Sequence, residues 1–214
     1  MKISIVEDGI DFARFSEIMN VESLRKRLKI NNSKIIITFI SRIFELKGIE
    51  DLLVVAKEIL KEFENVIFII AGRGSMEKKL EHEATITKNL LYLGYRKDVP
   101  NLLAISDIYV LPSYSEGLSP AILEAMASGL PIVTTNVGSN PDININGQYG
   151  CLINPGDQIN LKKSIINLIQ NESLRKEIGT LNKKIIQENF DLKKTALKFL
   201  EEIKKLLATL KNFN

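Results

Sequence analysis

The sequence of 214 residues contains no tryptophan, one cysteine and one histidine. The single Cys151 excludes an internal disulfide framework and a cysteine-built zinc site, and a single histidine excludes a histidine-rich metal centre. We expect His82, between Glu81 and Glu83, to be a surface residue. No apolar run approaches the roughly 18 residues that a membrane span needs. The first ten residues carry acids where a secretory signal would be apolar. These absences favour a reducing, cytoplasmic environment.

An excess of charge of one sign is also missing. Lysine and arginine total 29 and aspartate and glutamate 26, so the net charge is +3, which is too small to indicate nucleic-acid binding. Apolar residues make up 45% and charged residues 26%, as in an ordinary globular protein. The length favours one domain over residues 1–214.

Short apolar runs bounded by chain-breaking residues recur along the sequence. They do not alternate between apolar and polar residues, which is typical of strands buried on both faces of a parallel sheet. The runs are KIIITFI (34–40), VIFIIA (66–71), LLYLG (90–94), DIYVLP (107–112), PIVTT (131–135) and GCLI (150–153).

Segments with helical spacing separate these runs. Apolar residues in 49–63 follow the i, i+3, i+4, i+7 spacing. The other predicted helices are 75–84, 98–105, 120–128 after a Ser119 cap, two or three over 157–188 with breaks near Asn171 and Gly179, and 192–210. Repeated β-α order predicts a single Rossmann-like, doubly wound parallel α/β sheet of about six strands with extra C-terminal helices.

Unusual loops follow the first and fourth predicted strands. With strand order 3-2-1-4-5-6, ligands bind where these two strands end side by side. The first loop holds Arg42 and Lys47, and the fourth holds Glu116 and Gly117 just before a helix. Two cations facing a helix N-terminus could bind a diphosphate, although the pair could also be solvated loop cations.

Glu116 and Glu124 lie eight residues apart. Glu124 interrupts the apolar stretch AILEAMA, so it must be buried with partners or face a cleft. Carboxylates can accept hydrogen bonds from the vicinal hydroxyls of a sugar. Paired carboxylates for hydrolysis are the competing interpretation, but no second acid completes a pair. Glu116 alone could simply be a favourable acid near a helix N-terminus.

The segment Gly72-Arg73-Gly74 follows the second predicted strand. It lacks the third glycine and the ribose-binding acid of a dinucleotide motif. A tight strand-to-helix turn and a ligand contact are both consistent with it.

Three segments together resemble the C-terminal half of the retaining GT-B glycosyltransferases of the group 1 (family 4) type. SRIFELKGIEDLL resembles the family's GRL-x3-KG-x-D-x-L, and FIIAGRGSMEKKLE resembles its hydrophobic-x-G-x-G-x5-L segment. DIYVLPSYSEGLSPAILEAMASGLPIVTTNVGSNPDI is similar to its long core, including the Glu-x7-Glu pair. The similarity runs from about residue 5 to residue 190.

The resemblance implies a nucleotide-sugar donor and transfer of its sugar to an acceptor hydroxyl with retention, without a metal or other cofactor. The residues that would act on the donor diphosphate and sugar are Arg42, Lys47 and Glu116, with the backbone amides of Gly117, Leu118 and Ser119. Glu124 would hold the ribose. Donor contacts are also expected from Gly72 and from the base-binding loop of Gly94, Tyr95 and Arg96.

The sequence departs from the family pattern in two respects. Leu118 and Ser119 replace the usual Phe and Gly, which alters the sugar pocket. Only one of the family's two Rossmann-like domains is present, and residues 1–33 resemble the end of the interdomain segment. The acceptor-binding N-terminal half is expected upstream, in cis or in trans. The helix at 192–212 normally packs partly on that half, so its apolar stripe should be partly exposed.

Other functions fit the same residues less fully. The chain could be a non-catalytic nucleotide-sugar binding module or a truncated remnant. An epimerase or phosphorylase of the same architecture fits the Glu-x7-Glu core poorly. Association with the membrane surface through a lipid-linked acceptor would agree with the basic segment 22–30 and the lysine-rich C-terminal helix, which could also be solvated helix faces.

Overall fold

The structure is a computed structural model that describes residues 8–15, 21–143 and 150–211, the last three by backbone alone. Six parallel strands form one sheet in the order β3-β2-β1-β4-β5-β6, which confirms the predicted fold. The strands are β1 (Ile35–Ile40), β2 (Val66–Ala71), β3 (Leu90–Tyr92), β4 (Ile108–Leu111), β5 (Ile132–Thr135) and β6 (Gly150–Ile153). All six lie within the predicted runs.

The central strands are buried on both faces, as their continuous apolar sequences predict. Every residue of β2, β4 and β5 is buried, and only the first residue of β1 is partly exposed. The order reverses direction at β1, which pairs with β2 on one side and β4 on the other. The loops after β1 and β4 therefore leave the same edge of the sheet side by side.

Nine helices are described. Their bounds are α1 (Val21–Arg27), α2 (Ile49–Glu62), α3 (Glu77–Ile86), α4 (Val99–Ala104), α5 (Pro120–Ala127), α6 (Asn140–Ile143), α7 (Gln158–Gln170), α8 (Glu172–Asn189) and α9 (Leu192–Lys211). Short 3-10 turns lie at Phe12–Phe15 and Glu45–Lys47. Helix α2 packs with α7, whereas α5 packs with α4 and α8, as in a sheet covered on both faces.

Helix α5 begins and ends where its sequence predicts. Pro120 is its first residue, and Gly129 adopts a left-handed conformation just after its end. The Leu130 N–H donates to the Ala125 carbonyl and the Gly129 N–H to the Met126 carbonyl, a Schellman-type end. Ser119 occupies the N-cap position, but its side chain makes no capping hydrogen bond.

The predicted break at Asn171 is confirmed, and the break near Gly179 is wrong. Gly179 lies inside the continuous helix α8 and is buried. A Cβ atom there would come within 2.1 Å of the Gly129 carbonyl oxygen. This glycine permits close packing of α8 on the end of α5 and does not terminate a helix.

The beginning of the described chain lies beside the start of the last helix. Ile10 forms a parallel bridge with Asp191, next to the start of α9. Leu24 of α1 is buried, and Arg25 donates to the Ile105 carbonyl, so this basic segment is partly docked on the domain.

Helix α9 exposes most of its large apolar side chains, including Leu197, Phe199, Leu200, Leu206 and Leu207. No described helix is long and apolar enough to cross a membrane.

Candidate functional site

The loops after β1 and β4 enclose a cavity of about 570 Å³ at the N-terminus of α5, here called the α5 cavity. Its lining residues are Ile40, Ser41, Arg42, Lys47, Ser115, Glu116, Gly117, Leu118, Ser119, Pro120, Ala121 and Glu124. Seven of the predicted site residues therefore meet in one cavity, although they come from two segments about 70 positions apart.

A largely buried ion pair joins the two loops. Lys47 Nζ donates to Glu116 Oε1 at 2.7 Å, and their side chains are 13% and 6% exposed. Ser113 Oγ donates to the same carboxylate oxygen at 2.6 Å. Among the described residues, none donates to Glu116 Oε2. One carboxylate oxygen is thus held in place while the other remains available on the cavity wall.

The N-terminus of α5 presents unpaired backbone donors to the cavity. No described residue accepts a hydrogen bond from the N–H groups of Gly117, Leu118 or Ser119. Such groups, together with the helix dipole, favour an anion at this position.

Arg42 lies where the α5 cavity meets a second cavity. Its side chain is exposed, lines both cavities and lies over the Phe44 ring at 5.7 Å from the centroid. No described carboxylate pairs with it within ion-pair distance. Its guanidinium can therefore reach an anion in the α5 cavity.

Glu124 differs from Glu116 in its surroundings. It is half-buried on the second turn of α5, and no described side chain or backbone group donates to its carboxylate. Burial raises the pKa of Glu124 above its ordinary value, an effect that the positive charge of Arg14 partly opposes. The carboxylate is thus an acceptor with unused capacity.

The second cavity, here called the arginine cavity, has a volume of about 680 Å³ and lies over the ends of β1, β2 and β3. Its lining residues are Ile40, Ser41, Arg42, Phe44, Ala71, Gly72, Arg73, Gly74, Glu77, Tyr95, Arg96 and Val99. Ile40, Ser41 and Arg42 are common to both cavities, so one extended ligand could occupy both.

Three of the four predicted residues on this side line the arginine cavity, and Gly94 does not. Gly94 has a left-handed conformation, and its carbonyl accepts the Gly72 N–H at 2.8 Å. Gly72 itself packs so closely that a Cβ would lie 1.8 Å from the Ser41 carbonyl oxygen. Both glycines build the wall through their backbones.

Sequence reasoning missed several residues that shape the site. Ser113 was not singled out, although a serine three residues before a glutamate can bond that glutamate within one turn. Gly138 lies in a turn, and a Cβ there would lie 1.8 Å from the Glu116 carbonyl oxygen, so this turn also packs on the Glu116 loop. The sequence predicts no role for Arg73, because its flanking glycines form only a weak motif. A turn glycine is also expected at Gly147, which lies outside the described residues.

The loop that carries Glu116 is fastened to its neighbours. Tyr114 N–H donates to the Leu46 carbonyl at 2.8 Å, and Tyr114 OH donates to Asp51 Oδ2 at 2.7 Å. Gln158 donates to the other Asp51 oxygen at 2.6 Å. The Thr135 hydroxyl donates to the Ser113 carbonyl.

The described residues contain no group of three or more His, Cys, Asp or Glu side chains placed to hold a metal ion.

Comparison with known proteins identifies the family. The model of the family described as "Glycosyl transferases group 1" matches residues 20–185. The chain therefore belongs to the group 1 glycosyl transferases.

Similar curated proteins come from several organisms. An Escherichia coli protein named UDP-Gal:alpha-D-GlcNAc-diphosphoundecaprenol alpha-1,3-galactosyltransferase is 33% identical over 73% of this chain and 42% of its own length. An uncharacterized glycosyltransferase of Methanocaldococcus jannaschii is 31% identical over 98% of this chain and 53% of its own length. The capsular polysaccharide biosynthesis glycosyltransferase CapM of Staphylococcus aureus is 28% identical over 86% and 49%. The chain thus spans about half the length of these relatives.

Solved structures share the fold. Anabaena HepE in complex with UDP-glucose superposes with a TM-score of 0.84 at 23% identity, over 94% of this chain and 57% of that one. A glycosyltransferase from Rickettsia africae gives a TM-score of 0.86 at 23% identity, over 96% and 57%. WaaG, described as involved in lipopolysaccharide biosynthesis, gives 0.75 at 22% identity, over 90% and 55%. The sheet and its helices are those of GT-B glycosyltransferases.

Proposed function

We propose that this chain is the donor-binding part of a retaining glycosyltransferase that moves a hexosyl group from a nucleoside-diphosphate sugar to an acceptor hydroxyl. One observation carries the proposal. Two cations, one anchored carboxylate and three unpaired amides converge on a single cavity at a helix N-terminus. This is a cradle for a diphosphate with a sugar beside it.

The diphosphate would lie between Arg42, Lys47 and the start of α5. Arg42 has no described carboxylate partner, and Lys47 uses one of its three donors on Glu116. The departing nucleoside diphosphate gains negative charge as its bond to the sugar breaks. Fixed cations and amides stabilise that charge without reorganising, and they supply this stabilisation without a metal ion.

The two carboxylates would bind the two sugars of the donor. Glu116 Oε2 is available for hydroxyls of the transferred sugar, while Oε1 stays fixed by Lys47 and Ser113. Glu124, with no described donor, would accept from the ribose hydroxyls. Leu118 and Ser119 line the same cavity and would shape the sugar pocket.

The base would enter the arginine cavity, next to Tyr95 and Arg96. The two cavities share Ser41 and Arg42 in their linings, which suits a nucleotide extended across β1. The HepE complexes with UDP and UDP-glucose support a uridine nucleotide as the first candidate.

Transfer would also need a site for the acceptor. The relatives are about twice as long as this chain, which supports an N-terminal half that positions the acceptor, in cis or in trans. Holding two reactants in place can lower a barrier by roughly 7–11 kcal/mol, so the 214-residue chain by itself would transfer sugar barely or not at all. The name of the Staphylococcus aureus relative supports an acceptor from polysaccharide biosynthesis, and the name of the Escherichia coli relative supports an acceptor carried on a lipid diphosphate.

Calorimetric titration with UDP, GDP and ADP tests the donor site. Replacing Arg42 with alanine should weaken binding of the preferred nucleotide about tenfold or more, because a charge-assisted hydrogen bond is worth roughly 1.5–3 kcal/mol. The matched control is Lys61→Ala, which removes an exposed cation on α2 outside both cavities. Equal affinities of wild type and Arg42→Ala would remove Arg42 from the site, and absence of any nucleotide binding would refute the function.

A further inference from the structure

The arginine cavity contains three arginines, and they are not equivalent. Arg96 donates to both oxygens of Asp98 at 2.8 and 2.6 Å, so two of its five N–H donors are already used. This hydrogen bonding also lowers the pKa of Asp98. Arg42 lies at the junction with the α5 cavity, where the diphosphate would bind. Arg73 has no described acidic partner and does not line the α5 cavity.

Arg73 is held against an aromatic ring and has no acidic partner among the described residues. Its guanidinium lies 5.2 Å from the centroid of the Tyr95 ring. Glu77 also lines the cavity, but its Oε1 accepts the Gly74 N–H at 2.8 Å. The edge of the Arg73 guanidinium therefore keeps its donors free.

The backbone at Arg73 is tightly fixed. Its carbonyl accepts the Ile43 N–H at 2.8 Å. A Cβ on Gly74 would come within 2.1 Å of the Ile43 carbonyl oxygen, so the loops after β1 and β2 are in direct contact. The long side chain thus starts from a fixed point and is steadied by Tyr95 at the cavity wall.

The cavity around it is suited to a flat, partly apolar group. Ile40, Ala71 and Val99 supply apolar lining. A guanidinium edge carries only donors and pairs with carbonyl or ring-nitrogen acceptors. Uracil and guanine present a carbonyl oxygen, whereas adenine has none, and its N6 amine, a donor beside the acceptor N7, opposes the second arm of a guanidinium fork.

We propose that Arg73, stacked on Tyr95, reads the nucleobase of the donor and selects a base bearing a carbonyl group, uracil or guanine, over adenine. The inference rests on the proposed donor-binding function and adds a specificity-determining residue to it. Arg73 would contact the base and not the diphosphate, which separates its role from that of Arg42.

Calorimetric titration of Arg73→Met with UDP, GDP, ADP and inorganic pyrophosphate tests this role. Methionine keeps an apolar stem of similar length and removes the fork. The variant should bind the carbonyl-bearing nucleotide that the wild type prefers about fivefold more weakly or worse, and ADP and pyrophosphate almost as the wild type does. Arg73→Lys, which keeps the charge without the planar fork, should lose nearly as much.

Controls separate the two proposals. Lys78→Met, an exposed cation on α3 outside both cavities, should change none of the four affinities. Unchanged nucleotide affinity in Arg73→Met, equal losses for all three nucleotides, or a matching loss for pyrophosphate would each overturn the role of Arg73 while leaving the donor site standing. A wild-type chain that binds pyrophosphate but no nucleotide, or neither, would remove the donor site itself and base recognition with it.

Discussion

The two cavities meet at Arg42 but are built by different means. In the α5 cavity the central carboxylate is held by side chains, because Lys47 and Ser113 both donate to one oxygen of Glu116. The arginine cavity is held by backbone contacts, including the hydrogen bond from Gly72 to Gly94, while Arg73 stays unpaired with any described acid. We therefore expect a large effect in the first cavity from removal of the Lys47 charge, and in the second from addition of a Cβ at Gly72.

The largest effect is expected where backbone meets backbone. Gly72 has a φ of +147°, and a Cβ would lie 1.8 Å from the Ser41 carbonyl oxygen. Gly72→Ala should lower the free energy of unfolding by about 4 kcal/mol, from backbone strain and overpacking together. Urea denaturation would measure the loss.

Gly117→Ala provides the matched control on the α5 side. A Cβ there meets nothing within 4 Å, and its φ is not in the left-handed region. We expect this variant to stay within about 1 kcal/mol of the wild type. Equal losses at Gly72 and Gly117 would contradict the contrast between the two cavities.

The next effect in size concerns the buried ion pair. Lys47→Met leaves the carboxylate of Glu116 buried with only Ser113, which should cost about 3 kcal/mol of stability. Adding Glu116→Gln should recover part of that loss, because no buried charge then remains. The measurement is a double-mutant cycle by urea denaturation.

A surface pair gives the comparison for this cycle. Lys176 and Glu172 form an exposed pair on α8, so Lys176→Met should change stability by about 0.5 kcal/mol or less. If Lys47→Met costs no more than Lys176→Met, the pair at the α5 cavity does not hold the two loops together.

The smallest effect concerns Glu124 and depends on pH. Burial raises its pKa in the folded chain above the ordinary value of 4.5, so ionisation at neutral pH opposes folding. Glu124→Gln should therefore be more stable than the wild type at pH values above the raised pKa, and the gain should vanish as the pH falls below 4.5. Denaturation curves at several pH values would show this, and a gain that does not change with pH would contradict it.

The strands were predictable because each one is an uninterrupted apolar run between breakers. The packing role of Gly179 was not predictable, since a glycine that ends a helix and one that lets two helices touch look the same in sequence. The contact with Gly129 that distinguishes them spans 50 positions and exists only once α5 and α8 have packed.

For the site, sequence placed Arg42, Lys47 and Glu116 on loops that must lie side by side. It could not indicate that Lys47 and Ser113 share one oxygen of Glu116, or that Asp98 pairs with Arg96 while Arg73 has no acidic partner among the described residues. Those distinctions depend on side-chain directions within a few ångströms. The spacing of residues along the sequence does not determine these directions.

The ties on the loop between Ser113 and Ser119 have a thermodynamic consequence. Tyr114 links this loop to Leu46 and Asp51, Thr135 holds its first carbonyl, and Gly138 presses on the Glu116 carbonyl. A loop confined in this way can adopt few backbone conformations, so it loses little conformational entropy when an anion binds. Anion binding at this edge of the sheet should therefore leave the main chain almost unmoved. It should change mainly the side-chain rotamers and displace bound water.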